Sequence, residues 1–332
     1  MTATYLDFPY EEEIFNHYWA EATDPTRDAL LSSGAIVSDS TVADMISTGS
    51  NLYTMPYYNL LGGEEDNYDG KTDITATEST GDSLIGVVFG RAHAFKARDF
   101  IADFNSGANP LRYAATKVGN WYNHKRQKRI LGILNGVSGV TAFKDHVIDA
   151  STASIDETTL GNAAVTAMGD QADGLTLAFM HSAVANKLAN LQLLEYAKYT
   201  DANGIERQVR NIGTINGMTV IIDDGAPFTP AVTGGSASPA KYTTYLLGSG
   251  FLRYAQAPVA HPSEYSRDPK TNGGEEYIYT RIRETIHPYG FSFKAPSAMT
   301  VSPTDAQLFA KANWELKYDP KTVPFVAITT QA

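Results

Sequence analysis

Residues 109–136 read NPLRYAATKVGNWYNHKRQKRILGILNG, and this stretch predicts one long α-helix with both ends marked. Asn109 suits an N-cap and Pro110 suits the first helical position, whereas Asn135-Gly136 is a pair that stops helices. At 1.5 Å per residue, the roughly 25 residues between these signals span about 37 Å, two to three times an ordinary helix. We call it the spine helix, because a rod of this length can organise the elements around it.

The faces of the spine helix are uneven. Leu111, Val118 and Tyr122 recur at helical spacing, and the same line continues onto Lys125 and Arg129. No acidic residue lies between the helix start and Arg129, although the chain has a formal net charge of −11. Two interpretations stay open: a solvated face whose lysine stems cover the core, or a surface that meets acidic segments of this chain, of a neighbouring subunit or of a polyanion.

Two glycines interrupt the predicted helix. Gly119 and Gly132 each cost about 1 kcal/mol at an interior helical position. We therefore expect another element to approach the helix closely at these two points.

Composition excludes several classes of protein. The 332 residues are 43% hydrophobic, enough for a full core, and include no cysteine, which removes disulfides, thiolate zinc sites and cysteine nucleophiles. No apolar run approaches eighteen residues and the first residues are polar and acidic, so we expect neither a membrane span nor a signal peptide. The acidic balance also argues against a dedicated nucleic-acid binder, while leaving local phosphate contact at the spine helix open.

Two acidic segments precede the spine helix. Residues 1–50 have no core-forming pattern of their own, which is typical of an arm that packs along something else. Alternating patterns predict strands at 52–58 and 83–95, and a long connection between them carries Glu64, Glu65, Asp66 and Asp69. Connections this long are uncommon in compact domains. We interpret 52–95 as a two-stranded ribbon that reaches out of the domain and needs a partner to cover it.

The remainder of the chain predicts a mixed α/β domain. Its clearest element is a hairpin at 214–222, in which Asn216-Gly217 supplies a type I′ turn. Helices are predicted near 156–169, 182–194 and 304–314. A flexible loop is predicted at 228–240, and strands are predicted at 145–149, 175–180, 241–247, 323–328 and twice within 274–293.

The sequence offers no catalytic constellation. Seven scattered histidines lack the spacing of a zinc site, and Ser182 lacks the glycines of a nucleophile elbow, so His181-Ser182 is better explained as a helix start after a buried strand. Asp223-Asp224-Gly225 matches no calcium loop and predicts a strand-ending turn instead.

Six local phrases, in this order, resemble the prophage major-capsid family of tailed bacteriophages, which has the Hong Kong 97-type fold. The phrases are Ser33-Gly34-Ala35-Ile36-Val37, Ser106-Gly107-Ala108-Asn109-Pro110, Met168-Gly169-Asp170, Phe179-Met180-His181-Ser182-Ala183-Val184, Asn216-Gly217 with residues 220–227, and Ile286-His287-Pro288-Tyr289-Gly290-Phe291. Together they extend the resemblance over about 30–330.

The resemblance implies an α+β fold with an N-terminal arm, an extended β-ribbon loop, a long spine helix, and peripheral and axial domains. The implied boundaries are arm 1–51, extended loop 52–95, peripheral domain 96–157 with the spine helix at 110–134, axial domain 158–240, and return strands 241–332 that complete both domains.

The resemblance also implies a function. The chain would be a structural protein and no enzyme, a major capsid subunit that assembles as hexamers and pentamers into an icosahedral shell around double-stranded DNA. It would belong to the virion, after assembly in the bacterial host cytoplasm. Its implied partners are other copies, a portal, DNA bound non-specifically, and a separate scaffolding protein, because the match begins almost at Met1. No cofactor, metal or membrane is expected.

Two rival functions stay open. An encapsulin-like nanocompartment shell shares the fold, whereas a secreted hydrolase or adhesin belongs to another class and lacks support from any catalytic set or signal peptide. For the capsid interpretation we predict one inter-subunit contact. Lys125 and Arg129 would meet an acidic arm or ribbon of a neighbour, the ribbon residues being Glu64, Glu65, Asp66 and Asp69.

Overall fold

The computed structural model describes residues 3–5, 8–10, 29–47, 49–71, 73–100, 110–200, 206–231 and 239–332. The α-helices are α1 (Ser40–Ser47), α2 (Pro110–Ser138, the spine helix), α3 (Thr159–Met168), α4 (Ser182–Asn190) and α5 (Asp305–Phe309). The strands are β1 (Ala3–Tyr5), β2 (Phe8–Tyr10), β3 (Ile36–Ser38), β4 (Leu52–Tyr58), β5 (Gly81–Val87), β6 (Phe89–Arg98), β7 (Val147–Ser154), β8 (Leu177–Met180), β9 (Glu195–Thr200), β10 (Glu206–Ile215), β11 (Met218–Ile222), β12 (Phe228–Thr229), β13 (Lys241–Leu247), β14 (Leu252–Ala257), β15 (Ser263–Asp268), β16 (Glu275–Pro288), β17 (Phe291–Phe293), β18 (Trp314–Leu316) and β19 (Phe325–Gln331).

The chain divides into two compact units. The first contains residues 1–28, 90–127 and 259–283, and the second contains 29–89, 128–258 and 284–332. In the first unit, β15 pairs with β16 in antiparallel register, Ser263 opposite Thr280, and β6 also pairs with β16. The Tyr122 hydroxyl of α2 lies 2.8 Å from Thr280 Oγ1, which joins the helix to this sheet.

The second unit is built on an eight-stranded mixed sheet. Its strand order is β7-β19-β13-β8-β11-β10-β9, with β12 added beside β13. One face carries Phe179, Tyr245 and Phe325, which are fully buried in the larger core with the C-terminal part of α2. On the other face, α3 and α4 supply buried residues such as Leu160 and Val184. Two apolar faces explain why the central strands read as continuous hydrophobic runs.

Several sequence predictions are confirmed. The strand at 241–247 has the predicted bounds, and the hairpin of β10 and β11 turns at Asn216 (φ 49°) and Gly217 (φ 77°), as a type I′ turn requires. His181 caps α4 by accepting the Ala183 N–H, directly after the buried strand β8. The predicted flexible loop 228–240 lies partly outside the described residues, and its described part contains β12.

The spine helix is confirmed, but its predicted end is wrong. The helix begins at Pro110 and continues through Asn135 and Gly136 to Ser138. A Cβ atom at Gly136 would lie 2.6 Å from the carbonyl oxygen of Phe309, so glycine is needed here for packing and does not act as a stop. The proposed N-cap, Asn109, lies outside the described residues.

Residues 29–47, which the sequence assigns to the arm, pack into the second unit. Leu30 and Ala35 are buried in its larger core, and β3 pairs with β14 in parallel. Val42 and Ile46 of α1 form a smaller core with the ribbon. Apart from β1 and β2, residues 1–28 lie outside the described part of the chain. Among the described helices, none is both long enough and apolar enough to cross a membrane.

Candidate assembly interface

The predicted ribbon is present as β4 and β5. The two strands are antiparallel over their whole length, from Leu52 opposite Val87 to Tyr58 opposite Gly81. Because side chains alternate along a strand, β4 buries Tyr53 and Met55 against α1 and exposes the residues between them. The root of the ribbon is therefore packed into the smaller core of the second unit.

Four contacts among the described residues hold the ribbon root. Thr285 of β16 donates its hydroxyl hydrogen to the Val87 carbonyl (2.8 Å), so the Tyr53 hydroxyl, 3.0 Å from Thr285 Oγ1, acts as the donor in that pair. The Ile85 N–H donates to the Ser292 hydroxyl at 3.0 Å. At the surface, Lys317 lies 3.3 Å from Asp82. The Ser83 N–H and then Lys317 hold the pKa of Asp82 below its ordinary value.

The connection beyond the ribbon exposes large apolar side chains. No helix or strand forms in the described part of 59–80, and the last pairing is from the Asn59 N–H to the Thr80 carbonyl, 2.9 Å. Exposed fractions are 92% for Leu60, 87% for Leu61, 92% for Tyr68 and 78% for Ile74. Isolated apolar residues are ordinary on protein surfaces, whereas here four large ones lie on one segment without helix or strand. We call this segment, 59–80, the ribbon connection.

The ribbon connection is also acidic. It contains six carboxylates and one lysine, and the four predicted contact residues, Glu64, Glu65, Asp66 and Asp69, are all exposed. Asp66 accepts the Thr75 N–H at 2.6 Å and Asp69 accepts the Lys71 N–H at 2.8 Å. The Asp69 contact closes a short turn, whereas the Asp66 contact joins two parts of the connection that are nine residues apart.

The first part of the spine helix carries an aromatic cluster beside Lys125. The His93 and Trp121 rings stack with centroids 4.6 Å apart, and Phe95 meets Trp121 edge-on at 5.8 Å. Lys125 is exposed, and its Nζ lies 5.3 Å from the Trp121 ring centroid, within the range of a cation–π interaction. An exposed cation in this position remains accessible to acidic groups of another chain.

Arg129 does not belong to the exposed set, and its predicted role as an inter-subunit cation is wrong. The side chain is 5% exposed and contacts two carboxylates of the same chain, Glu284 at 2.9 Å and Asp305 at 3.0 Å. Its guanidinium carbon also lies 4.9 Å from the Phe89 ring centroid. The helical spacing places Arg129 on the apolar line but does not predict its partners, because Glu284 and Asp305 lie more than 150 residues away along the chain.

Gly119 and Gly132 of the spine helix have different surroundings. At Gly132 a Cβ atom would lie 2.3 Å from the Phe309 ring, so the predicted close approach is confirmed and the approaching element is α5. At Gly119 no described atom lies within 4 Å of that position. The prediction of a close approach at Gly119 is therefore not met within the described chain.

The described residues contain no group of three or more histidine and acidic side chains arranged to hold a metal ion. His181 faces Asp224, with Nδ1 and Oδ1 3.6 Å apart, in the role of a helix cap. Asp223 and Asp224 follow β11 in the predicted turn, where Asp223 accepts the Gly225 N–H at 2.7 Å. The geometry of these residues is accounted for by local structure.

Comparisons with known proteins agree with one another. The family model "Gp13-like: Major capsid protein 13-like" matches residues 104–323. The major capsid protein of Bacillus phage SPP1 is 28% identical over 320 residues, covering 95% of this chain and 94% of that protein. The capsid structure of Ralstonia phage GP4 aligns with a TM-score of 0.61 at 12% identity, covering 95% of this chain and 94% of the other.

An encapsulin shares the fold more distantly. The holo-SrpI encapsulin complex of Synechococcus elongatus PCC 7942 aligns with a TM-score of 0.53 at 9% identity, covering 93% of this chain and 91% of the other. Both structural matches are too low in identity to show more than a common mixed α+β fold. The family model and the SPP1 relative therefore decide between the two functions, and both favour a capsid.

Proposed function

Because the chain belongs to the Gp13-like major capsid protein family, we propose that it forms hexamers and pentamers that close into an icosahedral phage head around double-stranded DNA. Membership makes the chain a structural capsid protein of the virion and not an enzyme. The subunits would assemble in the cytoplasm of the bacterial host before DNA enters the shell.

The observation that supports assembly most directly is the ribbon connection. Its Leu60, Leu61, Tyr68 and Ile74 are at least 78% exposed in the single chain, and burying apolar surface stabilises by about 25 cal/mol per Å². A neighbouring subunit would cover these side chains. Such a contact joins two different surfaces, the ribbon connection of one copy and a receptor on the next, and repeated contacts of this heterologous kind generate closed rings.

The division into capsid domains is part of the proposal. We assign 1–51 to the N-terminal arm, 52–95 to the extended loop, 96–157 to the peripheral domain and 158–240 to the axial domain, with return strands at 241–332. The exposed ribbon end at 59–80 supports the extended-loop assignment. The sheet face covered by α3 and α4 supports a separate layer after residue 158.

Of the two cations predicted for the receptor surface, Lys125 remains in the proposal and Arg129 does not. Lys125 is exposed, whereas the ribbon connection carries an excess of carboxylates that includes Glu64, Glu65, Asp66 and Asp69. Lys125→Glu would raise the subunit concentration needed for assembly while leaving the melting temperature of the free subunit unchanged. Adding Glu64→Lys and Glu65→Lys would partly restore assembly. No restoration in the combined variant would place the receptor elsewhere.

The remaining partners are proposed from family membership. They are a separate scaffolding protein, a portal and the packaged genome, which the shell would contact without sequence preference. A chain with net charge −11 repels DNA over most of its surface, so contacts would be confined to local cations such as those of the spine helix.

Replacing residues 60–79 by Asn-Gly tests the proposed function. This two-residue type I′ turn would follow the existing pairing of Asn59 with Thr80, so the register of β4 and β5 is kept. We expect a soluble subunit with wild-type circular dichroism that no longer forms shells in negative-stain images. A second variant, Leu60→Ser with Leu61→Ser, keeps the connection length and should weaken assembly. Shells of normal size and yield from both variants would refute the proposal.

A further inference from the structure

The root of the ribbon contains a buried histidine with unusual surroundings. His287, on β16, is 1% exposed, and within the described chain neither ring nitrogen has a hydrogen-bond partner. Its ring meets Tyr53 edge-on, with centroids 6.2 Å apart. A neutral imidazole has one donor and one acceptor, so burying both without partners is costly, and burying the charged form costs more.

His287 lies beside the contacts that attach the ribbon. Thr285 is two residues earlier on the same strand face and binds both the Tyr53 hydroxyl and the Val87 carbonyl. Tyr53 itself packs on Gly86 of β5, where a Cβ atom would lie 2.1 Å from Cζ of the Tyr53 ring. Any change that pushes Tyr53 away from β16 therefore removes its hydrogen bond to Thr285, one of the contacts that attach the ribbon.

The surroundings of His287 disfavour protonation of its imidazole. Arg253 on β14 is the cation that acts on His287, and its guanidinium lies 3.4 Å from the Asp39 carboxylate and 5.5 Å from the Tyr289 ring centroid. Tyr53 on β4 is neutral, since burial raises the pKa of its hydroxyl to about 12. The side of this core contributed by α1 is apolar, with Val42 and Ile46. The carboxylate named here, Asp39, is already paired with Arg253.

We propose that His287 makes the ribbon root acid-sensitive: the imidazole takes up a proton only when β4 and β5 separate from β16, so acidification releases the ribbon from an otherwise folded subunit. The device belongs to the single chain and does not depend on the proposed assembly.

The direction and size of the pH effect follow from the linkage between proton uptake by His287 and opening of the ribbon root. Burial and the Arg253 charge lower the pKa of His287 to about 3, whereas an opened ribbon root gives it an ordinary value of about 6.5. The stability supplied by the neutral buried ring is fully present above pH 6.5 and is lost as pH falls from there towards 3. Between pH 7.5 and 4.5 the opening equilibrium should rise on the order of 100-fold. Asp82 stays ionised throughout this range, because its pKa is lowered.

Hydrogen exchange of the free, full-length subunit tests the proposal. Protection of amides in β4 and β5, corrected for the intrinsic pH dependence of exchange, should fall on the order of 100-fold between pH 7.5 and 4.5, while β11 changes little. His287→Phe should abolish that fall, and His146→Phe, at another buried histidine, should leave it intact. Tyr53→Phe removes the hydrogen bond to Thr285, so it should raise opening at every pH with the same slope.

Two results would overturn the proposal: unchanged ribbon protection in the wild-type subunit, or the same fall in His287→Phe. If the phenylalanine variant does not fold, the smaller His287→Met takes its place. The imidazole proton resonances of the wild-type subunit give an independent measurement. A histidine that titrates near pH 6.5 while the ribbon amides stay protected would also contradict the coupling.

Discussion

Arg129→Met should be among the most damaging single substitutions in the spine helix. Methionine keeps an unbranched apolar stem but lacks the guanidinium group, which lies 2.9 Å from the fully buried Glu284. Glu284 would still accept the Tyr254 hydroxyl at 3.2 Å, but it would lose its ion pair with Arg129 in the core. Breaking one partner of a buried pair costs about 3–5 kcal/mol. Loss of the contact with Asp305 adds little to this free-energy cost, because the Asp305 side chain is 48% exposed and can be hydrated by solvent.

The predicted loss corresponds to a fall of about 6–20 °C in the Tm of a unit of this size. Urea unfolding followed by circular dichroism measures it, with free energies from linear extrapolation. Asp305→Asn is the matched control and should cost at most about 1 kcal/mol. The double variant Arg129→Met/Glu284→Met should recover most of the loss, since apolar replacement of a whole buried pair is often neutral. A loss below about 1 kcal/mol in Arg129→Met would refute the reasoning.

Three further outcomes are expected. Gly132→Ala should destabilise the protein by about 1–3 kcal/mol, because the added Cβ meets the Phe309 ring. Gly119→Ala should instead stabilise it by about 0.5–1 kcal/mol, because alanine favours a helix more than glycine does. Equal effects of the two substitutions in thermal melts would contradict this contrast. Gly217→Ala, at φ 77°, should cost about 1 kcal/mol of unfolding free energy, measured in urea, and no loss would mean that the turn adapts. Fluorescence anisotropy should show weak binding of the free subunit to duplex DNA that disappears with salt; sequence-specific binding at about 0.5 M salt would be inconsistent with it.

Local signals in the sequence predicted those elements whose conformation local residues determine. Asn216-Gly217 needs positive φ at both positions and therefore predicts its turn, and the run that forms β13 is apolar and β-branched enough to predict its bounds. Pro110 likewise marks the start of α2, since proline fits only the first turn of a helix. The alternation of β4 predicts a half-buried strand, which the structure contains.

Long-range partners could not be predicted in the same way. The periodicity of the spine helix placed Arg129 on the buried line, but nothing near it in sequence names Glu284 or Asp305 as its acids. Gly136 carries the local signature of a helix stop, yet the helix continues through it, and the position of Phe309 explains why glycine is needed there. β3 pairs in parallel with β14, more than 200 residues later, so its three residues gave no strand pattern.

The contact of Phe309 with Gly132 and Gly136 fixes the rotational phase of the spine helix. The two glycines are one turn apart on the same helix face, and a shift by one residue would bring Ile133 and Val137 under Phe309, where no room exists for a side chain. The C-terminal end therefore cannot turn about the helix axis. A one-residue insertion between Leu111 and Lys128 would leave that end in place and rotate every upstream side chain by about 100°. Length changes in this helix are thus far less tolerable than substitutions on its exposed face.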